Sequence, residues 1–308
     1  MDFVFSKLIF TLKLNADVPD PFALYSIRGD FMQVFQSAVC RQQGQCGECR
    51  EHAACSYYNT FSQALADDPA ALRRHQKPPL PFVFDLPILP PMPNNGQELE
   101  IGLNLAGTAI NFIEDYIEAV RMLFSSANPG RKICGTITRV DSLACSDFRS
   151  CIMENASELA LDSVATISAR DLMEMNTLNP SRIKFTITTP MRILQDGRPL
   201  REFSFSHFVR SLLRRISSLA YYYYGNGLEV DFKWLSNASD SVEVSENNFH
   251  WTEWQEECRP DRLSGIIGSG TCLGGLEDFH TFLLLGEHFH VGKGASFGLG
   301  RYRMEREF

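Results

Sequence analysis

The feature that most constrains this 308-residue chain is a change of hydrophobic period that runs through the same order twice. Near the N-terminus Leu8, Phe10, Leu12 and Leu14 recur at every second position, as in a strand, and Ile27, Phe31, Val34, Phe35 and Ala38 follow at helical spacing. Two more strand-like runs come at 81–86 and 98–105, the latter with Leu99, Ile101, Leu103 and Leu105 on one face. A second helical stripe, Ile110, Ile113, Ile117, Val120 and Phe124, then leads into a β-like stretch at 133–140. That order is βαββαβ.

The second half repeats it after an acidic connector at 150–175, for which a helix is expected. Ile183, Phe185 and Ile187 mark a strand, and Phe205, Phe208, Val209, Leu212, Leu213 and Ile216 a helix. Strands near 228–235 and 264–273, a short helix near 277–287 and a closing strand from 298 complete the set. The expected class is therefore α+β, two tandem ferredoxin-like (βαββαβ) domains with a cysteine-rich insertion in the first. Residues 1–145 form the first domain, with its insertion at 40–80, residues 146–180 the connector and residues 181–308 the second domain. At 44% hydrophobic residues the chain can bury two cores of ordinary size.

Several classes are excluded at this level. No apolar run reaches the about 18 residues of a membrane span, and the N-terminal segment alternates rather than forming a signal-peptide core. Nine cysteines without an export signal point to reduced thiols or metal ligands in a cytoplasmic protein rather than to a disulfide framework. The net charge of −8 does not exclude a nucleic-acid partner, because the charges segregate. Residues 182–215 hold eight Lys/Arg against two acids, whereas 141–175 hold seven acids against two bases and 236–261 seven against one.

The C-terminal stretch from His290 to Arg303 is suited to an anion. Gly292, Gly294, Gly298 and Gly300 free the backbone to take positive φ and approach a phosphate, while Lys293, Ser296 and Arg301 add charge and a hydroxyl. A ligand-free glycine hairpin is the competing reading. A P-loop is excluded, because Lys293 is followed by Gly294 and an alternating segment instead of a helix. A dinucleotide fingerprint fails too, since no βαβ units follow.

On the helix at 207–216, His207, Arg210 and Arg214 stand at i, i+3 and i+7, a line that either faces one RNA strand or is an ordinary solvated helix face. His288 and His290 precede the glycine loop and are the other histidines within reach of it. Tyr221 to Tyr224 either stack on bases or seal the helix end, and Trp251 and Trp254 are read as packing residues. Cys40, Cys46, Cys49 and Cys55 form C-x5-C-x2-C-x5-C, with Gly47 easing the central turn. They are either a closed structural zinc site or four unligated thiols in a small lobe, and His52 is a possible substitute ligand. The spacing fits no standard iron–sulfur cluster, and Cys134, Cys145, Cys151, Cys258 and Cys272 lack paired spacing.

The segments Phe-Thr-Ile-Thr-Thr-Pro-Met-Arg-Ile (185–193), His-Phe-Val-Arg-Ser-Leu-Leu-Arg-Arg-Ile (207–216) and Val-Gly-Lys-Gly-Ala-Ser-Phe-Gly-Leu-Gly-Arg-Tyr-Arg-Met (291–304) together resemble the CRISPR repeat-processing endoribonucleases of the RAMP superfamily. Tyr-Ser-Ile-Arg-Gly-Asp-Phe (25–31) and Pro-Pro-Leu-Pro-Phe-Val-Phe (78–84) extend the resemblance to the N-terminal half. It implies paired ferredoxin-like domains that hold a CRISPR repeat RNA, with the glycine loop on its backbone and other CRISPR effector subunits as further partners. It also implies metal-independent cleavage, in which a ribose 2′-hydroxyl attacks the adjacent phosphorus and leaves a 2′,3′-cyclic phosphate and a 5′-hydroxyl. No cofactor is expected for catalysis.

The chain departs from that family where its members carry a histidine near the first helix. None lies between Ser26 and Val39, and Gln33 follows Arg28-Gly29-Asp30-Phe31-Met32. His207, His288 and His290 are therefore the candidate bases, with Tyr25 and Arg28 as candidate phosphate contacts. A non-catalytic RAMP subunit that binds the repeat is the alternative. A metal or redox protein built on the cysteines would leave the loop and the arginine face unexplained.

Overall fold

The computed structural model describes residues 3–41, 46, 49–68, 77–89, 93–125, 132–155, 157–225, 227–254 and 263–306, so Gly47 and Cys258 lie outside the described residues. The chain divides into two compact units, one of Phe5–Leu65 and Leu80–Thr166, the other of Met1–Val4, Ala66–Pro79 and Ile167–Phe308.

In the first unit the N-terminal alternation becomes β1 (Val4–Leu14), flanked on both edges and buried along almost its whole length. β2 (Phe82–Asp85), β3 (Glu98–Ala106), β4 (Gly135–Leu143) and β5 (Arg149–Glu154) complete the order β2-β3-β1-β4-β5. Phe10 pairs with Ile101 on one side and Val140 on the other, which puts both apolar sets in register. All described pairings among these strands are antiparallel, the ferredoxin-like arrangement in β1 to β4.

One side of this sheet is covered by α1 (Ile27–Val39) and α3 (Ile113–Phe124), which pack on each other, with α2 (Ser56–Phe61) beside α1. The helical stripe of α1 buries Ile27, Phe31, Val34 and Phe35. Aromatic rings dominate the contact: Phe31 meets Phe84 at 4.9 Å and Phe82 at 5.2 Å, and Phe35 meets Tyr116 at 4.9 Å, in edge-on geometry. The Tyr116 hydroxyl, which could not be buried alone, is 2.8 Å from Thr60 Oγ1.

The connector differs from the helix expected over 150–175. Its first part is β5, which extends the sheet beyond β4 through a turn at Asp147 with φ of 60°. An available sheet edge outweighs a weak helical pattern here. Helix is confined to α4 (Ala169–Met175), after the short β6 (Ile167–Ser168), where Ser168 and Asp171 form a capping box.

In the second unit β7 (Arg182–Met191) is central and β8 (Leu194–Gln195) and β9 (Arg198–Pro199) form a small hairpin. β10 (Glu243–Ser245), β12 (Leu263–Leu273), β7 and β13 (Tyr302–Met304) lie in that order, and β11 (His250–Trp254) also pairs with β12. This is again the order second-third-first-fourth. Besides α4, the unit's helices among the described residues are α5 (Phe205–Tyr224), α6 (Phe232–Ala238) and α7 (His280–Phe289).

Two expected strands are corrected. The stretch 228–235 enters α6, because Asp231 accepts the Trp234 N–H at 2.9 Å and caps a helix there; the sheet takes its second strand later, as β10 and β11. The closing strand begins at Tyr302 rather than at 298, because Gly298 and Gly300 adopt left-handed φ of 85° and 67° and fold the segment into the turn. α5 runs through the tyrosines and ends at left-handed Gly225. Tyr223 donates to Pro79 O at 2.7 Å and Tyr224 to Val4 O, so these two seal the helix end.

Candidate functional site

The glycine-rich segment is a closed turn between α7 and β13. His290, at φ of 55°, ends the helix, and the Val291 N–H reaches Gly300 O at 3.0 Å to close the base. Lys293 N–H donates to Arg192 O at 2.8 Å and Gly300 N–H to Pro190 O at 3.1 Å, which ties the turn to the end of β7. Inside it, Phe297 N–H meets Gly294 O at 2.9 Å, and Thr189 Oγ1 both donates to Gly298 O (2.9 Å) and accepts from Arg301 N–H (2.8 Å). Most backbone donors expected to face an anion thus bond within the turn or to β7. Among the described residues, the amides of Gly292, Gly294 and Ser296 stand outside this ladder.

Close approach explains the glycines. A Cβ on Gly300 would run into the Val291 carbonyl, and one on Gly292 would sit 2.6 Å from Arg192 O. The side chains then divide by exposure. Lys293 is exposed and Arg301 half-buried, but Ser296 is buried and its hydroxyl accepts from Arg215 at 3.3 Å. Arg215 also donates to Phe289 O at 2.7 Å, so one guanidinium braces the turn from below. Loss of water lowers its pKa to about 10, and it stays charged at neutral pH.

On α5, Arg210 and Arg214 line a groove of about 570 Å³ together with Ser217 and with Lys233 and Ser236 of α6. Arg210 is held by Ser236 Oγ and by Asp240, each at 2.7 Å. With side chains 36% and 54% exposed, that ion pair is worth at most about 1 kcal/mol, weak enough for a phosphate to replace the carboxylate. His207 is not among the groove's walls; its Nδ1 is 3.1 Å from Ser204 Oγ. His288 lies half-buried in the last turn of α7, and His290 is wholly buried.

In the first unit Arg28 is half-buried on the first turn of α1 and Gln33 is exposed. Tyr25 is buried and donates to Leu86 O at 3.2 Å, which makes it a packing residue. The four cysteines, all half-buried, line one cavity of about 500 Å³ together with His52, Arg41, Arg50 and Asp115. Burial and, after it, Cys46, Cys40 and Cys55 raise the pKa of Tyr57. Among the described residues no three His, Cys, Asp or Glu side chains stand ready-made for a metal ion. Cys272 is buried in the second sheet, where burial pushes its thiol up to about 12.

Three residues escaped the sequence reading. Lys233 stood in an expected strand, Arg215 had only its place in the 207–216 segment, and Arg192 only its place in the Thr-Pro-Met-Arg-Ile segment. The adjacent Arg214-Arg215 pair did carry a signal, because two neighbours on a helix cannot share one face.

Two ferredoxin-like units with a glycine-rich turn behind the last helix are the arrangement that the resemblance to the RAMP superfamily implies. The family model of the CRISPR-associated endoribonuclease Cas6 matches residues 185–302, and a second model, described as an N-terminal domain, matches residues 3–164. Residues 185–302 thus carry a Cas6-family domain, which supports the resemblance to the CRISPR repeat-processing endoribonucleases of the RAMP superfamily. Solved structures agree in fold. A Cas6 product complex is 14% identical with a TM-score of 0.58, over 98% of this chain and 100% of that one. Thermus thermophilus Cas6 is 13% identical with a TM-score of 0.55, over 99% and 100%. A partial Cas6-RT-Cas1–Cas2 complex is 12% identical with a TM-score of 0.58, over 100% of this chain and 47% of that one. No curated protein sequence matches. Among the described residues no helix is long and apolar enough to cross a membrane.

Proposed function

We propose that this protein cuts CRISPR repeat RNA without a metal ion, by attack of a ribose 2′-hydroxyl on the adjacent phosphorus, leaving a 2′,3′-cyclic phosphate and a 5′-hydroxyl. The observation that carries the reading is the Cas6 family match over residues 185–302, which spans α5, β7 and the glycine turn. The chemistry asks for an aligned nucleophile, two proton transfers and stabilisation of a charged phosphorane. Lys293, Arg301 and the Arg210–Arg214–Lys233 groove supply cations for the RNA backbone. His207 is the favoured base: Ser204 holds its Nδ1, and Nε2 is the nitrogen left to exchange a proton. His290, wholly buried, is the least suited of the three.

A second reading, binding of the repeat without cleavage, is supported by Gln33 on α1, where no histidine lies between Ser26 and Val39. One experiment separates the two. The purified protein is incubated with its genomic repeat RNA in excess EDTA and the product ends are mapped. A single cut with a cyclic phosphate supports the nuclease, and tight binding with intact RNA supports the binding subunit. Cleavage that stops in EDTA would overturn the metal-independent mechanism.

A further inference from the structure

We propose that Cys40, Cys46, Cys49 and Cys55 bind one structural zinc ion that staples α1 to α2. The four sulfurs come from different local elements yet face a single cavity. Cys40 is the residue on which α1 ends, and Cys55 is the N-cap of α2. A metal bridging them would fix the angle between two helices joined by 16 residues that contain only one short turn of 3-10 helix among those described.

Backbone donors already address two of the sulfurs. Cys49 Sγ accepts the Glu51 N–H at 3.4 Å and Cys55 Sγ the Tyr58 N–H at 3.5 Å, outer contacts of the kind that orient a metal-bound sulfur. Arg41 and Arg50 stand in the same wall together with Glu51 and Asp115, so the wall itself adds no formal net charge to a zinc–thiolate centre. His52 is otherwise engaged: its ring stacks on Tyr58 at 4.2 Å and a ring nitrogen meets Cys46 O. The ligand set is therefore the four cysteines. Binding would release their thiol protons and set the sulfurs about 2.3 Å from the metal. A tetrahedral site closed by four thiolates leaves no position for water, so its role is to hold the lobe together, independently of any RNA chemistry.

The test uses the full chain purified under reducing conditions. Elemental analysis is expected to find about one zinc per chain, released when the thiols are blocked with an organomercurial. Cys46→Ser with Cys49→Ser should lower that content about tenfold, whereas Cys151→Ser, an exposed cysteine elsewhere, should leave it unchanged. If the double variant does not fold, cobalt is added to metal-depleted wild-type protein, and the intense thiolate-to-cobalt absorption of a tetrahedral site is expected. The proposal fails if zinc stays below about a tenth per chain after reconstitution, if the double variant retains it, if cobalt gives no such absorption, or if the protein holds iron and sulfide instead.

Discussion

The two ferredoxin-like units share a strand order and differ in where they depart from it. In the first unit the insertion follows the first helix, α1, and carries the four cysteines. In the second the connection after the last helix, α7, carries the glycine turn. The interiors differ in the same sense. The first is a cluster of aromatic rings between helices and sheet, whereas the second adds a connection fixed by backbone hydrogen bonds and a half-buried arginine. The lesson is that a repeated scaffold keeps its strands and helices interchangeable, while connections carry the chemistry that distinguishes the copies.

The comparison is tested first where the first unit is most dependent on packing. Phe31→Ala removes a wholly buried ring that touches four other aromatic rings, and it should cost about 4 kcal/mol in urea denaturation. A loss below about 1 kcal/mol would show that the aromatic cluster is not what holds this unit. In the second unit the corresponding weak point is backbone. Gly300→Ala combines a φ of 67° with a collision against Val291 O and should cost about 2–3 kcal/mol. Gly275→Ala, with open space around its Cβ, should change stability by less than about 0.5 kcal/mol, and equal costs at the two positions would refute the steric account of the turn.

The units also differ in how legible they were. Helical stripes and the long strands β1, β3 and β7 were plain in the sequence because each buries regularly spaced apolar residues, whereas the glycines of β12 blur its period. β5, β10 and β11 were not, since short edge strands of three to six residues rich in exposed polar side chains carry little period. At the site, glycine spacing announced a special turn, but not that its amides would close on themselves or that Ser296 would face inward. Both depend on Arg215 and the end of β7, residues distant in sequence. Helical spacing placed Arg210 and Arg214 together, while Lys233 joined them only through a helix that was read as a strand.

If the turn and the α5–α6 groove are the RNA-facing parts of the second unit, cations there matter more than Arg28 of the first. Lys293→Ala with Arg301→Ala should weaken repeat RNA binding about tenfold and reduce the slope of log affinity against log salt by about 1.4, two phosphates' worth for a single strand. Arg210→Ala with Arg214→Ala should act similarly, and Arg28→Ala less. An unchanged slope in either double variant would remove that surface from the interface. His207→Ala should slow cleavage at least about 100-fold with binding retained, and a normal rate would exclude it as the base.

The smallest effect is a pH dependence built into α7. Burial, the first cause, lowers the pKa of His280 against the raising influence of Asn179, Glu277 and Asp278, so the folded protein keeps it neutral. Unfolding exposes a group that titrates near about 6.5, and the unfolded chain then binds more protons than the native one. The stability this provides is present above that value and is lost as pH falls through it toward the lower folded value. Glu287, raised by burial, acts in the opposite sense, losing stability as pH rises. Comparing wild-type protein with His280→Gln therefore isolates the histidine. The difference in unfolding free energy between the two should change from pH 7.5 to pH 5, against the wild type at the lower pH. A pH-independent difference would mean that His280 titrates alike in the folded and unfolded chain, and that its burial beside Phe279 and the α7 core imposes no constraint on its charge.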